Sequence, residues 1–117
     1  MSKVRELSLA YYTAVDSGDV EAVLDCFSDD AVYRRPGYEP IVGREGLRDF
    51  YSGVRVIDSG AHEVQDIVVE GDRSAIRGRF VGRLKDGSAA EVGFADLLGF
   101  AGDPIATRTT FFYAATL

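Results

Sequence analysis

The strongest constraint on the fold of this chain is a change of hydrophobic period after Gly60. From that point apolar and polar residues alternate, a pattern typical of strands that bury one face. Turn residues interrupt the alternation at Gly71-Asp72, Asp86-Gly87 and Gly102-Asp103. The sequence therefore predicts a meander of four antiparallel strands, which read AHEVQDIVVE, SAIRGRFVGRLK, SAAEVGFADLLGF and IATRTTFFYAATL.

The residues before Gly60 follow a helical period instead. Apolar positions from Val4 to Val15 predict a first helix, and SGD at 17–19 supplies a glycine stop and then an aspartate cap for a second. We expect the second helix to continue through Phe27, followed by a short strand, AVYRR, and a third helix with the buried stripe Leu47, Phe50, Tyr51 and Val54. This order predicts an α+β fold in which three N-terminal helices pack on one face of a strongly curved antiparallel sheet, around a central pocket.

Length and charge limit the classes of function. At 117 residues we expect one domain, 1–117, large enough for a core and a small pocket. The net charge of −6 argues against nucleic acid or an anionic membrane as the main partner and favours a small ligand that is not strongly anionic. The absence of an apolar export signal near the start makes the cytoplasm the expected location.

The sequence shows no pattern for a metal or an organic cofactor. It has one histidine and one cysteine, Cys26, so a multi-histidine or cysteine cluster is excluded, and Cys26 is expected to fill the core. Neither a glycine-rich dinucleotide motif nor a phosphate-binding loop is present. A metal site built from carboxylates alone stays open, but Asp29-Asp30 is better interpreted as a helix-end turn, so we expect no cofactor and no metal.

Asp96 lies at the centre of the strand FADLLGF. Burying a carboxylate costs several kcal/mol unless it is paired or protonated, so we expect Asp96 either to carry out chemistry or to form a structural ion pair. A two-residue turn at Asp86-Gly87 would place Arg77 opposite Asp96, with Arg79 on the same face. A single bulge would reverse these faces, and glycines that could host one are Gly78, Gly82 and Gly93.

Other candidate residues can move protons or stabilise charge. His62 is the one side chain that exchanges a proton near neutral pH without a large pKa shift, and it would form an acid/base dyad if it met Asp96. Tyr11 and Tyr33 either donate hydrogen bonds to a developing oxyanion or are ordinary core tyrosines. If Asp96 serves as a proton carrier, its replacement by asparagine should change the stability by about 1 kcal/mol or less.

Two sets of basic residues are relevant to ligand binding. Arg35 and Arg108 are candidates to bind a carboxylate, enolate or phenolate, or else to pair with internal acids. The remaining basic run is expected to form a solvated sheet face and not a nucleic-acid track; it comprises Arg73, Arg77, Arg79, Arg83 and Lys85.

The order of these segments resembles the nuclear transport factor 2-like superfamily, specifically its SnoaL-like and ketosteroid isomerase-like members. The most informative segments are YYTAVDSGDVEAVLDCFSDDAVY and FADLLGFAGDPIATRTTFF. By this resemblance Tyr11 and Asp96 stand where ketosteroid isomerase has its two oxyanion donors. Arg35, however, replaces the proton-abstracting carboxylate of that enzyme, and Thr110 replaces the water-activating aspartate of limonene epoxide hydrolase. Neither set of catalytic residues is complete.

The resemblance implies a cofactor-independent acid/base enzyme of the isomerase, cyclase or epoxide hydrolase type. Its expected substrate is a small hydrophobic oxygenated molecule, such as a polyketide or terpenoid intermediate; the alternative is a non-catalytic binding or structural module. The candidate catalytic residues are Asp96, His62 and Tyr11, and the candidate substrate-binding residues are Tyr33, Arg35 and Arg108. We also expect a homodimer, because small or apolar residues line the outer sheet face at Ala89, Gly93, Ala95 and Leu97.

Overall fold

The computed structural model describes residues 3–54 and 57–113. Its helices are α1 (Lys3–Ser17), α2 (Val20–Leu24) and α3 (Gly43–Asp49), the last continuing into a π-helical turn at Phe50–Val54. Its strands are β1 (Phe27–Arg34), β2 (Ile41–Val42), β3 (Ile57–Glu70), β4 (Arg73–Leu84), β5 (Ala89–Phe100) and β6 (Ile105–Tyr113). None of the described helices has the length and hydropathy needed to cross a membrane.

The six strands form one open, curved sheet in the order β2-β1-β6-β5-β4-β3. Strands β3 to β6 form the expected antiparallel meander. Strand β1 pairs in parallel with β6 on one side and antiparallel with β2 on the other, so it joins β2 to the meander. The α+β fold class is confirmed. The sequence had indicated β1 as a separate short strand and had not indicated β2.

The junction between α1 and α2 forms as the triplet SGD predicts. Helix α1 ends at Ser17, Gly18 adopts a positive φ of 78°, and the side chain of Asp19 accepts a hydrogen bond from the Ala22 amide at 3.2 Å. The predicted continuation of α2 through Phe27 is wrong. The carbonyl of Cys26 accepts from the Ile105 amide at 2.8 Å, so pairing with β6 draws the chain into β1 and overrides the helical period.

The turn between β4 and β5 decides which side chains face inward. The Leu84 amide donates to Ser88 O at 2.9 Å, and the Gly87 amide donates to Leu84 O at 2.9 Å with Gly87 at φ 89°. This is a three-residue loop with a left-handed glycine, not the two-residue turn expected from Asp86-Gly87. The extra residue shifts the register of β4 against β5 by one. The side chains of β4 that were expected on one face of the sheet therefore lie on the other.

As a result, Ile76 lies opposite Asp96, and the predicted placement of Arg77 and Arg79 beside Asp96 is wrong. Both arginines lie on the outer face. Arg77 Nε donates to Asp66 at 2.9 Å, and Arg79 donates to Glu63 at 3.2 Å and also to Glu91. The expectation that this basic run is a solvated face is confirmed.

Glycines on β3 and β4 make room for two inward phenylalanine rings that wall the functional site. A Cβ added at Gly82 would lie 2.7 Å from the Phe80 ring and would also clash with the Ser59 carbonyl. A Cβ at Gly78 would lie 3.0 Å from the Phe94 ring. These rings therefore occupy space that a side chain at either glycine would fill.

Candidate functional site

The carboxylate at the centre of FADLLGF pairs with an arginine on the next strand. Asp96 is 0% exposed and Arg108 5%. Arg108 Nε donates to Asp96 Oδ1 at 3.1 Å, and Nη2 donates to Oδ2 at 3.0 Å, in a bidentate arrangement. Burial alone would lower the pKa of Arg108, but the Asp96 charge and the surrounding tyrosines, Tyr11 first among them, raise it well above its ordinary value. Arg108 therefore stays charged.

Two hydroxyl groups complete the surroundings of Asp96. The Tyr12 hydroxyl donates to Oδ2 at 2.6 Å, and the Thr110 hydroxyl donates to Oδ1. Burial, followed by the neighbouring Asp96 charge, raises the pKa of Tyr12 well above its ordinary value, so this phenol keeps its proton. Each Asp96 oxygen thus accepts two hydrogen bonds from the protein itself.

Tyrosines surround the Arg108 guanidinium. Its central carbon lies 4.4 Å from the ring centre of Tyr33 and 5.1 Å from that of Tyr11. Nη1 donates to the Tyr51 hydroxyl at 3.1 Å and to the Tyr11 hydroxyl, and these two hydroxyls bond to each other. Tyr11 and Tyr33, which the sequence indicated as site residues, are fully buried and fix the position of Arg108.

His62 pairs with an acid at the end of α1. Its Nδ1 lies 2.6 Å from Asp16 Oδ1, and its backbone amide donates to Asp16 Oδ2 at 2.9 Å. Because a carboxylate only accepts, Nδ1 carries the proton and Nε2, on the other side of the ring, has the lone pair. The hydrogen-bonded dyad of Asp96 and His62 is not formed. Tyr12 contacts both groups instead, through its hydroxyl to Asp96 and its ring, 5.2 Å from that of His62.

The environment of His62 keeps it neutral. Its side chain is 10% exposed, and its ring packs 5.0 Å from Phe80 and 5.3 Å from Phe94. Desolvation by burial lowers the pKa of His62, and this effect outweighs the hydrogen bond to Asp16, which raises it. At pH 7 the imidazole is therefore unprotonated at Nε2 and able to accept a proton.

A cavity of about 30 Å³ brings several of these groups together. Its polar lining comprises Arg35, His62, Arg108 and Thr110, and its apolar lining comprises Phe80, Val92, Phe94 and Phe112. Of the residues that the sequence indicated, His62, Arg35 and Arg108 thus line this cavity. The other three contact Arg108 but do not line the cavity; they are Asp96, Tyr11 and Tyr33. The volume suits one or two water-sized groups and is smaller than the pocket we expected.

Larger hollows exist, but they lie elsewhere. One of about 420 Å³ on the outer face includes the exposed residues Val68 and Leu97. It contains no member of the Asp96–Arg108 or Asp16–His62 pairs. We therefore place the candidate site at the smaller cavity, where the buried polar groups converge.

Sequence reasoning missed Asp16, Tyr12 and Tyr51. Asp16 carried a usable signal, because an acid in the last turn of a helix opposes the helix dipole and its presence indicates that another group depends on it. Tyr12 and Tyr51 looked like ordinary core residues. Their hydroxyl contacts span 84 residues to Asp96 and 57 to Arg108, so no local pattern reveals them.

Comparison with known proteins places this fold in a family. The sequence model of the SnoaL-like domain matches residues 9–108. The chain belongs to the SnoaL-like domain family. This confirms the resemblance to the nuclear transport factor 2-like superfamily that the two long motifs indicated.

Solved structures of similar fold include a protein of ketosteroid isomerase-like fold from Catenulispora acidiphila, crystallised with trimethylamine (20% identity, 94% of this chain, 86% of that chain, TM-score 0.82). TerC, co-crystallised with polyporic acid, is 20% identical over 96% of this chain and 92% of its own, with TM-score 0.84. SalBIII, an epoxide hydrolase/cyclase-like enzyme of pyran ring formation in the polyether salinomycin, is 18% identical over 95% and 91%, also with TM-score 0.84. At these identities the similarity establishes the fold alone.

Proposed function

We propose that this SnoaL-like protein is a cofactor-independent acid/base enzyme that acts on a small hydrophobic oxygenated molecule by isomerisation, cyclisation or epoxide opening. One observation carries the proposal. His62, neutral through burial and oriented by Asp16, lines the same apolar-walled cavity as the Arg108 guanidinium. A base and a fixed positive charge thus lie beside one small space.

The chemistry follows from these positions. His62 Nε2 takes a proton from an acidic carbon or a hydroxyl of the substrate, and the Asp16 carboxylate stabilises the imidazolium that results. Arg108 stabilises the negative charge that develops on the substrate oxygen. The same proton returns to a different atom of the substrate, so the reaction needs no oxidant or reductant.

In this proposal Asp96 acts through Arg108 and not as the base. All four of its hydrogen bonds come from the protein, and it does not line the cavity. Asp96 holds the guanidinium in place and offsets its charge, while Tyr11 and Tyr33 pack against the same group. These three are positioning residues.

The comparisons support the substrate class. The description of SalBIII as epoxide hydrolase/cyclase-like and the complex of TerC with polyporic acid both concern oxygenated small molecules. Among the described residues, no group of three His, Cys, Asp or Glu side chains could hold a metal ion. That the reaction needs no cofactor stays a prediction.

Proton exchange on 2-tetralone, a flat apolar ketone with acidic α-protons, tests the proposal. In D₂O near pH 7, NMR should show faster loss of its C1 proton signal with the protein than with buffer. His62→Gln should slow this exchange about 10²-fold or more. Arg34→Gln, which changes an exposed arginine outside the cavity, should exchange like the wild type.

A second function, ligand binding without turnover, is favoured by one observation, the small volume of the cavity. It predicts that 2-tetralone shifts the amide resonances of residues at the cavity while its exchange rate equals that of buffer. That result would replace the enzyme proposal with a binding function.

A further inference from the structure

Arg35 is a half-buried arginine that lacks a carboxylate partner in the described part of the chain. Its Nε is buried and makes no hydrogen bond there. Other arginines lie within 4.0 Å of an acid; they are Arg44, Arg48, Arg73, Arg77, Arg79 and Arg108. The Nε of Arg79 is also unbonded, but its two terminal nitrogens bond to Glu63 and Glu91. Arg35 therefore has a charge-assisted bonding capacity that the protein leaves unused.

The Arg35 side chain is held in place by aromatic rings. Its guanidinium carbon lies 5.1 Å from the ring centre of Tyr38, 5.4 Å from that of Phe50 and 5.1 Å from that of Phe112. The following residue, Pro36, restricts the backbone of Arg35 to extended conformations. A ligand that binds this guanidinium does not have to order it first.

The charge of Arg35 is not offset within the cavity. Arg108 is paired with Asp96, His62 is neutral, and no acid is among the residues that line the space. The net charge of the whole chain, −6, disfavours a strongly anionic ligand, but the charge at this position is positive. The cavity therefore favours a single negative charge.

The dimensions indicate how such a ligand enters. A space of about 30 Å³ accommodates a carboxylate, a carbonyl or a phenolate oxygen, so an attached ring lies at the rim. Phe112 is 37% exposed, lines the cavity and lies over Arg35, so it forms part of the rim. A flat unsaturated body attached to the anion would stack on Phe112 outside the enclosed volume.

We propose that Arg35 binds the anionic oxygen of a planar, unsaturated carboxylate or phenolate, and that this is the substrate class of the site. The inference rests on the proposed function only in placing the ligand in the same cavity. If the reaction proceeds through an enolate, the Arg35 guanidinium assists Arg108 in stabilising the charge that proton removal by His62 creates.

The test compares 2-naphthoate with its neutral isostere 2-naphthamide by isothermal titration calorimetry near pH 7.5. A charge-assisted bidentate contact predicts that wild-type protein binds the carboxylate about tenfold or more tightly than the amide. Arg35→Gln should reduce this ratio to about twofold or less, whereas Arg34→Gln, its exposed neighbour of equal charge, should keep it. If Arg35→Gln does not fold, Arg35→Lys should still lower the ratio, because an ammonium lacks the planar fork.

The inference is overturned if the wild type binds neither probe, shows no preference for the carboxylate, or keeps its preference in both Arg35 variants. His62→Gln separates this inference from the proposed function, because it should slow the proton exchange of 2-tetralone and retain the preference for 2-naphthoate. An Arg35-dependent preference in a wild type that exchanges no 2-tetralone proton would refute the enzyme and leave the anion site standing. Exchange of the 2-tetralone proton without a preference for 2-naphthoate would refute the anion site and leave the proposed enzyme standing.

Discussion

Replacing Asp96 by asparagine should destabilise this protein strongly. The sequence alone predicted a change of about 1 kcal/mol or less, on the premise that Asp96 is a proton carrier. The structure shows that the substitution would leave the charge of Arg108, 5% exposed, without a counter-ion. Removing one partner of a buried pair typically costs about 3–5 kcal/mol.

The hydrogen bonds explain this magnitude. Asp96 accepts from Arg108 through both oxygens, and from Tyr12 and Thr110. Asparagine offers one acceptor oxygen and one NH₂ group, so a guanidinium N–H must face another donor whichever way the amide turns. The two hydroxyls can rotate to accept, but the guanidinium cannot. One buried unsatisfied donor contributes about 1–3 kcal/mol, and the lost charge accounts for the remainder.

Urea denaturation followed by circular dichroism measures the loss in free energy of unfolding. In a thermal melt, the melting temperature should fall by roughly 10–20 °C. The matched control is Asp66→Asn, which breaks the exposed ion pair with Arg77 and should cost about 1 kcal/mol or less. The double variant Asp96→Asn/Arg108→Gln should be more stable than the sum of its two single variants predicts. An Asp96→Asn protein within about 1 kcal/mol of wild type would refute the ion-pair account.

Four further predictions follow. Asp16→Asn removes a charge that raises the pKa of His62, so an NMR titration should show that pKa falling further; an unchanged value would contradict the pairing. Because burial lowers the pKa of His62 below its ordinary 6.5, the unfolded chain takes the proton first. The stability from this histidine is therefore present above about pH 6.5 and is lost as the pH falls through the lowered pKa. In His62→Gln, the free energy of unfolding measured in urea should vary less with pH over this range. Gly82→Ala should cost about 1–3 kcal/mol through its clashes with the Ser59 carbonyl and the Phe80 ring, whereas Gly53→Ala, with open space around it, should be nearly neutral; equal effects would be inconsistent with the packing. Light scattering should give a homodimer of two 12.7 kDa chains, and a monomer mass would exclude it.

Local signals predicted the elements but not how they pair. The cap at Asp19 and the turn at Gly102-Asp103 depend on residues within a few positions, so the sequence contains all that they need. The loop at Asp86-Gly87 shows the limit of such signals. Asp-Gly suits both a two-residue and a three-residue loop, and that one residue decides which face every side chain of β4 occupies.

The site was predictable as a set of residues but not as a set of partners. Asp96 was recognisable because a charge in an apolar strand requires compensation, and Arg108 was among its candidate partners. His62 was recognisable as the one histidine. Its partner Asp16 lies 46 residues away, and only the packing of α1 on β3 brings the two together. Arg35 was predicted to bind an anionic oxygen or to pair with an internal acid, and its aromatic surroundings became evident only from the fold.

The central claim is that His62 is a neutral base whose protonated Nδ1 is held by Asp16. Long-range ¹H–¹⁵N correlation spectroscopy of the uniformly labelled protein at pH 7 measures this directly, because the single histidine gives one ring pattern. We predict the neutral Nδ1–H tautomer, with Nε2 unprotonated, and a shift of the Nε2 resonance when 2-naphthoate binds. An imidazolium, or a neutral ring that carries its proton on Nε2, would contradict the account.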